Sequence, residues 1–319
     1  MTDAPSSVLI VAPKNDLHAK VVSEHLQKLG VRVDYLDTHQ SSVSTLLVEP
    51  GVSVELGDTA VTGAWTIWWR HATQPAAPDG LSPDEAELAA GETMAIVLGG
   101  LLSINPRWVD DPYVILKAEH TLFQLAAASY LGVRTPATCA TSNPARAVAF
   151  AAAGRTVAKT ISYGIGLAPY ADMISPEDAD RVRYGATVLQ RHITASDDLR
   201  VVVVNSTVHA WRRQHAAADP VDWRSADPSG TAFTLADEQT TRAVAADAVR
   251  INHHLGLSTS AQDWLLPADG SPPVFLEANP AGAWLFLPDA DNLIAPLLAR
   301  HLAAGARASC SADTTGTRL

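Results

Sequence analysis

Cysteine is nearly absent from this chain: Cys139 and Cys310 are the only two in 319 residues. Two thiols so far apart in sequence give neither a disulfide framework nor the paired spacing of a zinc site, so the expected compartment is a reducing one, the cytoplasm. Lysine is also rare, five residues against 18 arginines, so each lysine is worth locating. Long hydrophobic runs are missing. No stretch of about 18 apolar residues occurs, and neither a transmembrane helix nor a membrane partner is expected. The N-terminal MTDAPSSVLIVAP lacks the basic region and apolar length of a secretory signal. Positive charge is in deficit, with 23 Lys and Arg against 34 Asp and Glu and a net charge of -11. That excludes nucleic acid as a bulk partner but leaves room for a locally basic site. What is present is ordinary globular composition, 47% hydrophobic and 18% charged, enough to bury a sizeable core in two or three modules.

The order of patterns sets out those modules. SVLIVA at 7–12 is the continuous apolar run of a buried parallel strand, 16–29 has helical periodicity closed by Gly30, and 31–37 is a second strand. This β-α-β opening predicts a parallel α/β module that continues through strands at 52–56 and 65–70 and a helix at 82–102 begun by Ser82-Pro83-Asp84-Glu85. A second module opens near Asn105-Pro106. It holds a helix over 114–131, a strand over 135–141, a helix capped by Ser142 or Asn143, the strand RTVAKTIS, and a glycine-containing loop at Tyr163-Gly164-Ile165-Gly166. The third contains strand 187–193, an acidic turn at 195–198, a hairpin of 199–204 with 208–214, a helix from Asp237 to Leu255, a hairpin of 259–266 with 273–279, and a closing helix over 289–304. The predicted fold class is therefore α/β (α+β), with modules at 1–112, 113–188 and 189–305 and a polar, disordered tail at 306–319.

The last hairpin carries the clearest chemistry. Asp263 and Glu277 are equidistant from the turn glycine Gly270, which sets them opposite each other, and Asn279 lies two residues past Glu277 on the same face. Facing carboxylates repel unless positive charge lies between them, and a set of hard oxygen donors suits Mg²⁺. A solvated polar face is the alternative, although Trp264, Leu265, Phe275 and Leu276 flank the set. In the preceding hairpin Arg200 and Arg212 are equidistant from Ser206, which predicts both guanidiniums on one face. They would take phosphate or pair with carboxylates such as Asp198 and Asp222. Lys159, in the apolar strand TVAKT, is costly to bury without an anion. Asp222-Trp223-Arg224 suits either recognition of a peptide or a structural salt bridge, and His253-His254 suits the C-terminal dipole of its helix.

The succession of a lysine strand, a glycine loop, Gln190-Arg191-His192-Ile193, an arginine hairpin and Asp263…Phe275-Leu276-Glu277-Ala278-Asn279-Pro280 resembles the ATP-grasp superfamily. More narrowly, Ile67-Trp68-Trp69-Arg70, Gln124-Leu125 with Gly132 to Pro136, Asp222-Trp223-Arg224 and the FLEANPAG run resemble the graspetide synthetases, the microviridin-type ribosomal peptide maturases. The resemblance covers about residues 7–304. It implies an ATP-grasp fold of three modules, an N-terminal parallel α/β module, a central module and a C-terminal antiparallel one, with ATP and Mg²⁺ as cofactors. Lys159 would touch the α- and β-phosphates, Gln190 and Ile193 would line the adenine site, and Asp198 would face the ribose. Asp263, Glu277 and Asn279 would hold Mg²⁺, and Arg200 and Arg212 would steady the γ-phosphate.

Many members of that family carry a lysine three residues before the Gln-Leu pair. This chain has Thr121 there, and Lys117, one helical turn earlier, is expected to reach the same phosphates. Arg70, Asp222 and Arg224 would contact the substrate. His71 stands where a second arginine is often found. The implied partner is a ribosomal precursor peptide, leader and core, whose Asp or Glu side chain is phosphorylated and then captured by a Ser/Thr hydroxyl or a Lys amine. Relatives are often dimeric, so a homodimer is a further expectation. The alternatives are a ligase for a free amino acid or other small carboxylate, and a nucleotide- or peptide-binding protein without catalysis.

Overall fold

The computed structural model describes residues 7–39, 43–48, 51–56, 59–160, 171–216, 219–223, 227 and 229–312. The described chain divides into two compact units, residues 1–115 with 290–319, and residues 116–289.

The first unit is built on a parallel sheet. Strand β1 (Ser7–Val11) leads through helix α1 (Leu17–Lys28) to β2 (Arg32–Leu36). The side chain of Asp16 caps α1 by accepting from the Ala19 amide, and Gly30, at φ 74°, stops it. A three-stranded antiparallel ribbon follows, β3 (Val43–Val48), β4 (Gly51–Leu56) and β5 (Thr59–Val61), of which the sequence showed only the middle strand. Then come β6 (Thr66–Trp69), α2 (Pro83–Ser103), β7 (Arg107–Val109) and α3 (Pro112–Ala118). The sheet order is β2-β1-β6-β7, every pair parallel. Its core joins Leu9, Val11, Leu36, Val54, Ile67, Val97 and Leu101.

Helix α2 opens with a reciprocal capping box between Ser82 and Glu85. It is long and apolar enough to cross a membrane by length and composition alone, which the sequence reading did not expect. Its best window has a mean hydropathy of 1.3, while Val97 and Leu101 join the core and Leu88 and Ile96 are exposed.

The second unit begins with α4 (Thr121–Tyr130). The single helix expected over 114–131 is thus broken at Glu119-His120. His120 is extended, and the Ala118 carbonyl, which a continuing helix would satisfy from its own backbone, accepts instead from the Gln124 side chain. Strand β8 (Thr138–Thr141), α5 (Pro144–Ala152, capped by Asn143), β9 (Thr156–Lys159), β10 (Ala171–Ile174), α6 (Pro176–Ala179) and β11 (Thr187–Arg191) follow, with the antiparallel sheet order β10-β9-β11-β8.

A second antiparallel sheet takes β12 (Ala195–Val204), β13 (Thr207–Gln214), β14 (Thr234–Leu235), β15 (Thr259–Pro267) and β16 (Val274–Asn279) in the order β14-β13-β12-β15-β16. Helix α7 (Glu238–Leu255) packs on one face of it and ends at Gly256, φ 80°. The acidic turn expected at 195–198 is strand, irregular between Ala195 and Asp197.

The closing helix runs from Ala295 to Ala312, past the expected start of the tail at 306, and groups with the first unit. The module boundary drawn at 188/189 falls inside the second unit.

Candidate active site

Asp263 and Glu277 are direct partners in the β15–β16 ladder, and Ala261 pairs with Asn279. Glu277 and Asn279 therefore share a strand face with Asp263. The expected repulsion between the carboxylates is answered by the protein itself. Arg200, the neighbour of Asp263 on β12, donates from Nη1 to Oδ1 at 2.8 Å. Lys159, at the end of β9, lies 3.3 Å from Glu277 Oε2. All four side chains are largely buried, with exposures of 7%, 11%, 12% and 19% for Arg200, Asp263, Lys159 and Glu277. Coulomb attraction is therefore screened far less than at a surface. Arg200 also donates to the Ala283 carbonyl at 2.8 Å. Its buried Nε has no hydrogen-bond partner among the described residues.

The arginine hairpin corrects an expectation. Val204 pairs with Thr207 across a two-residue turn, so Arg200 faces Trp211 and Arg212 faces Leu199. Arg200 and Arg212 consequently point to opposite faces, because a shift of one residue in register reverses every side chain. Arg212 lies on the α7 side of the sheet. It bonds Asp197 Oδ1 at 2.7 Å, with Asp237, the cap of α7, at 3.9 Å. The arginine that shares the face of Arg200 is Arg213, opposite Asp198. It is buried and donates to Asp198 at 3.0 Å and to Asp219 at 2.6 Å. The tandem Arg212-Arg213 carried that signal in the sequence, and only the turn length separates the two.

A cavity of about 520 Å³ lies within the second unit. Lys159, Gln190, Ile193, Asp198, Asp222, Asp263 and Glu277 all line it. Gln190 is buried and donates to the Thr138 hydroxyl at 3.2 Å. Asp198 also accepts from His215 Nε2 at 2.8 Å. That hydrogen bond, opposed by burial, holds the His215 imidazole above its ordinary pKa. Burial, with Arg155 and His215 nearby, pushes His192 below it.

The lining holds six carboxylates (Asp172, Asp198, Asp219, Asp222, Asp263, Glu277) and three cations (Arg155, Lys159, Arg191). The locally basic site expected from the sequence is thus an acidic wall with cations set into it. Trp223 packs against Phe233 and Phe286 in an aromatic cluster, and Asp222 beside it is buried. Arg224 and the Tyr163 to Gly166 loop lie outside the described residues.

Two expected residues stand elsewhere. Lys117 is exposed in the last turn of α3, with Nζ 4.7 Å from the centre of the Phe123 ring, and does not line the cavity. The helix break at His120 removes the one-turn spacing that was to bring it level with Thr121. In the first unit Arg70 is 5% exposed, and its Nε donates to both oxygens of Asp16 at 2.9 and 3.0 Å. Its guanidinium also lies 5.5 Å from the Trp68 ring centre. Burial opposes ionisation of Asp16, but the His71 hydrogen bond, the Arg70 charge and the Ala19 amide outweigh it and hold the carboxyl well below the usual range. This arrangement fastens the end of β6 to the cap of α1, and the exposed member of the group is His71.

No family model and no curated protein matches the chain. Solved structures do. A RiPP-associated ATP-grasp ligase from Chryseobacterium gregarium, in complex with ADP and a leader and core peptide, superposes with a TM-score of 0.80 at 21% identity, over 93% of this chain and 95% of that one. The macrocyclase MdnC from Microcystis aeruginosa, bound with the precursor peptide MdnA, gives 0.77 at 21% identity over 93% and 99%. The macrocyclase MdnB from the same organism gives 0.75 at 24% over 93% and 99%. Likeness of this extent at this identity establishes the fold, and the chain has the ATP-grasp fold.

Proposed function

We propose that the chain is an ATP- and Mg²⁺-dependent peptide macrocyclase of graspetide type. The observation that carries this is one row of side chains, Lys159, Glu277, Asp263 and Arg200, joined in two ion pairs, of which Lys159, Glu277 and Asp263 line the cavity and Arg200 backs Asp263. The chemistry of that donor set fits the metal. Asp263, Glu277 and Asn279 would hold Mg²⁺, which supplies charge neutralisation at the phosphates when bound. Lys159 offers N–H donors to phosphate oxygens from the cavity wall, and Arg200 adds positive charge behind Asp263. Gln190 and Ile193 supply the wall for the base.

In the reaction, a side-chain carboxylate oxygen of the precursor peptide attacks the γ-phosphorus and ADP leaves. A Ser/Thr hydroxyl or Lys amine of the same peptide then attacks the acyl carbon and loses its proton, and inorganic phosphate departs. Support for a peptide substrate comes from the similar structures, two of which hold precursor or leader and core peptides. The cytoplasm, where ATP is available and thiols stay reduced, is the place for this chemistry. Asp222 and Arg224 are proposed on the peptide side.

Mass spectrometry tests the proposal. The protein is incubated with ATP, Mg²⁺ and the short Ser/Thr- and Asp/Glu-rich peptide encoded beside its gene. Each cross-link removes one water from the peptide, and Glu277→Ala should abolish both this loss and ADP release. An unchanged peptide alongside ADP release with free amino acids would support the small-carboxylate ligase instead.

A further inference from the structure

Among the described residues strand β16 is the edge of its sheet, with no strand partner on one side of its backbone. At Ala278 that side is filled by a side chain. The Ala278 amide donates to Gln124 Oε1 at 2.9 Å, and the Ala278 carbonyl accepts from Gln124 Nε2 at 2.6 Å. A primary amide thus exchanges both bonds with one residue, as a paired residue of an antiparallel ladder does. Gln124 is 2% exposed, and its Nε2 also donates to the Ala118 carbonyl, so its own position is fixed by the break between α3 and α4.

Ala278 lies between Glu277 and Asn279. Its N–H belongs to the peptide plane shared with Glu277 and its C=O to the plane shared with Asn279. Fixing both planes fixes the direction in which both side chains leave the strand. We infer that Gln124 is a positioning residue for the metal ligands: it sets the spacing of Glu277 and Asn279 from outside the sheet, without itself touching metal or nucleotide. The inference rests on reading Asp263, Glu277 and Asn279 as that ligand set. Groups that orient ligands in this way are typically worth roughly 10- to 100-fold in metal affinity.

The test uses the full-length protein and Mn²⁺ as the probe, with binding followed by electron paramagnetic resonance in the presence of ADP. Gln124→Met keeps the side-chain length and removes all three bonds. It should weaken Mn²⁺ binding by roughly 10- to 100-fold and speed hydrogen exchange at the Ala278 amide. Gln124→Glu keeps the acceptor for that amide and should fall between the two, which preserves the test if the Met variant folds poorly. Leu125→Ala, a truncation of the buried neighbour, should leave Mn²⁺ affinity unchanged. Equal affinity in wild type and Gln124→Met overturns the inference alone, as does an equal loss in Leu125→Ala. A wild type that takes up no Mn²⁺ with ADP overturns the metal reading and this inference with it.

Discussion

Gly282, in the turn that leaves β16, measures how tightly the proposed site is packed. Its amide donates to the Asn279 carbonyl at 3.1 Å. A β-carbon added there would stand 2.8 Å from the Ala261 β-carbon, 2.9 Å from that of Asn279 and 3.0 Å from Arg200 Nη2. The first two atoms are fixed to strand backbone and cannot rotate away. The third is already bonded to Ala283. Gly282→Ala therefore has to shift the turn or the strands. Overpacking of this kind costs about 1–3 kcal/mol, or a fall of roughly 2–12 °C in melting temperature for a unit of this size.

Because the atoms displaced belong to Asn279 and Arg200, ATP turnover should fall further than stability does. A misplacement of about 1 Å can cost on the order of 100-fold. Gly270→Ala is the matched control. Its φ is +73° and no atom lies within 4 Å of the added carbon, so it carries only the left-handed backbone penalty of roughly 1–2 kcal/mol. Thermal melts and an ADP-release assay with precursor peptide separate the two variants. Turnover in Gly282→Ala equal to that in Gly270→Ala would refute the placement of Asn279 and Arg200 at the reacting phosphates.

The register of the arginine hairpin predicts that Arg200→Ala lowers turnover by roughly 10²–10³-fold, the usual loss for one donor at developing charge. Arg212→Ala, on the opposite sheet face, should stay within a few-fold of wild type; equal losses in two folded variants would overturn the face assignment. His215 supplies the pH dependence. It faces Asp198, Arg213, Asp219 and His192, and its folded pKa is raised above the ordinary 6.5, first by the bond to Asp198. Its stabilisation is therefore fully present below pH 6.5 and is lost as pH rises through the folded value. The stability difference between wild type and His215→Gln, from denaturant melts across neutral to alkaline pH, should shrink as pH rises; a constant difference would count against the Asp198–His215 pair.

Two hairpins show how much of the site was legible in the sequence. Both were laid out by folding the chain about a turn residue, and both estimates were half a residue from the true centre. In β12–β13 the turn is Asn205-Ser206, with Asn205 at φ 53°, so the centre lies between those residues rather than on Ser206. Nothing corrects the offset, and Arg212 falls on the wrong face. In β15–β16 the rungs nearest the turn, Leu265 with Val274 and Trp264 with Phe275, also centre between residues, at 269 and 270. There the register shifts between Trp264 and Asp263, leaving Leu276 as an extra residue. The shift moves the centre onto Gly270 and brings Glu277, rather than Leu276, opposite Asp263. Bulges re-aim side chains in this manner beside functional sites. The parallel sheet was readable because β1 from Val8 to Val11 is both fully buried and wholly apolar. The break at His120 was not, because it depends on a side chain four residues ahead taking a backbone carbonyl, which no local propensity records.

Charge in the cavity wall narrows what it can hold. Lys159 and Arg200 are each engaged with a carboxylate, and Arg213 is shared between Asp198 and Asp219. The cations nearest Asp263 and Glu277 are thus neutralised where they stand, and with Arg200 and Arg213 counted beside the three lining cations, six carboxylates meet five cations. Two like charges about 4 Å apart repel by roughly 4 kcal/mol at the effective dielectric of such a wall. A polyphosphate brought here on the protein's cations alone would find no net positive charge to offset that repulsion. A divalent cation held by Asp263, Glu277 and Asn279 would supply the missing positive charge and would leave the charges of Lys159 and Arg200 uncompensated toward a phosphate. The chain's shortage of lysine is consistent with this, since Lys159 is the one lysine lining the cavity among the described residues and needs only to change partners.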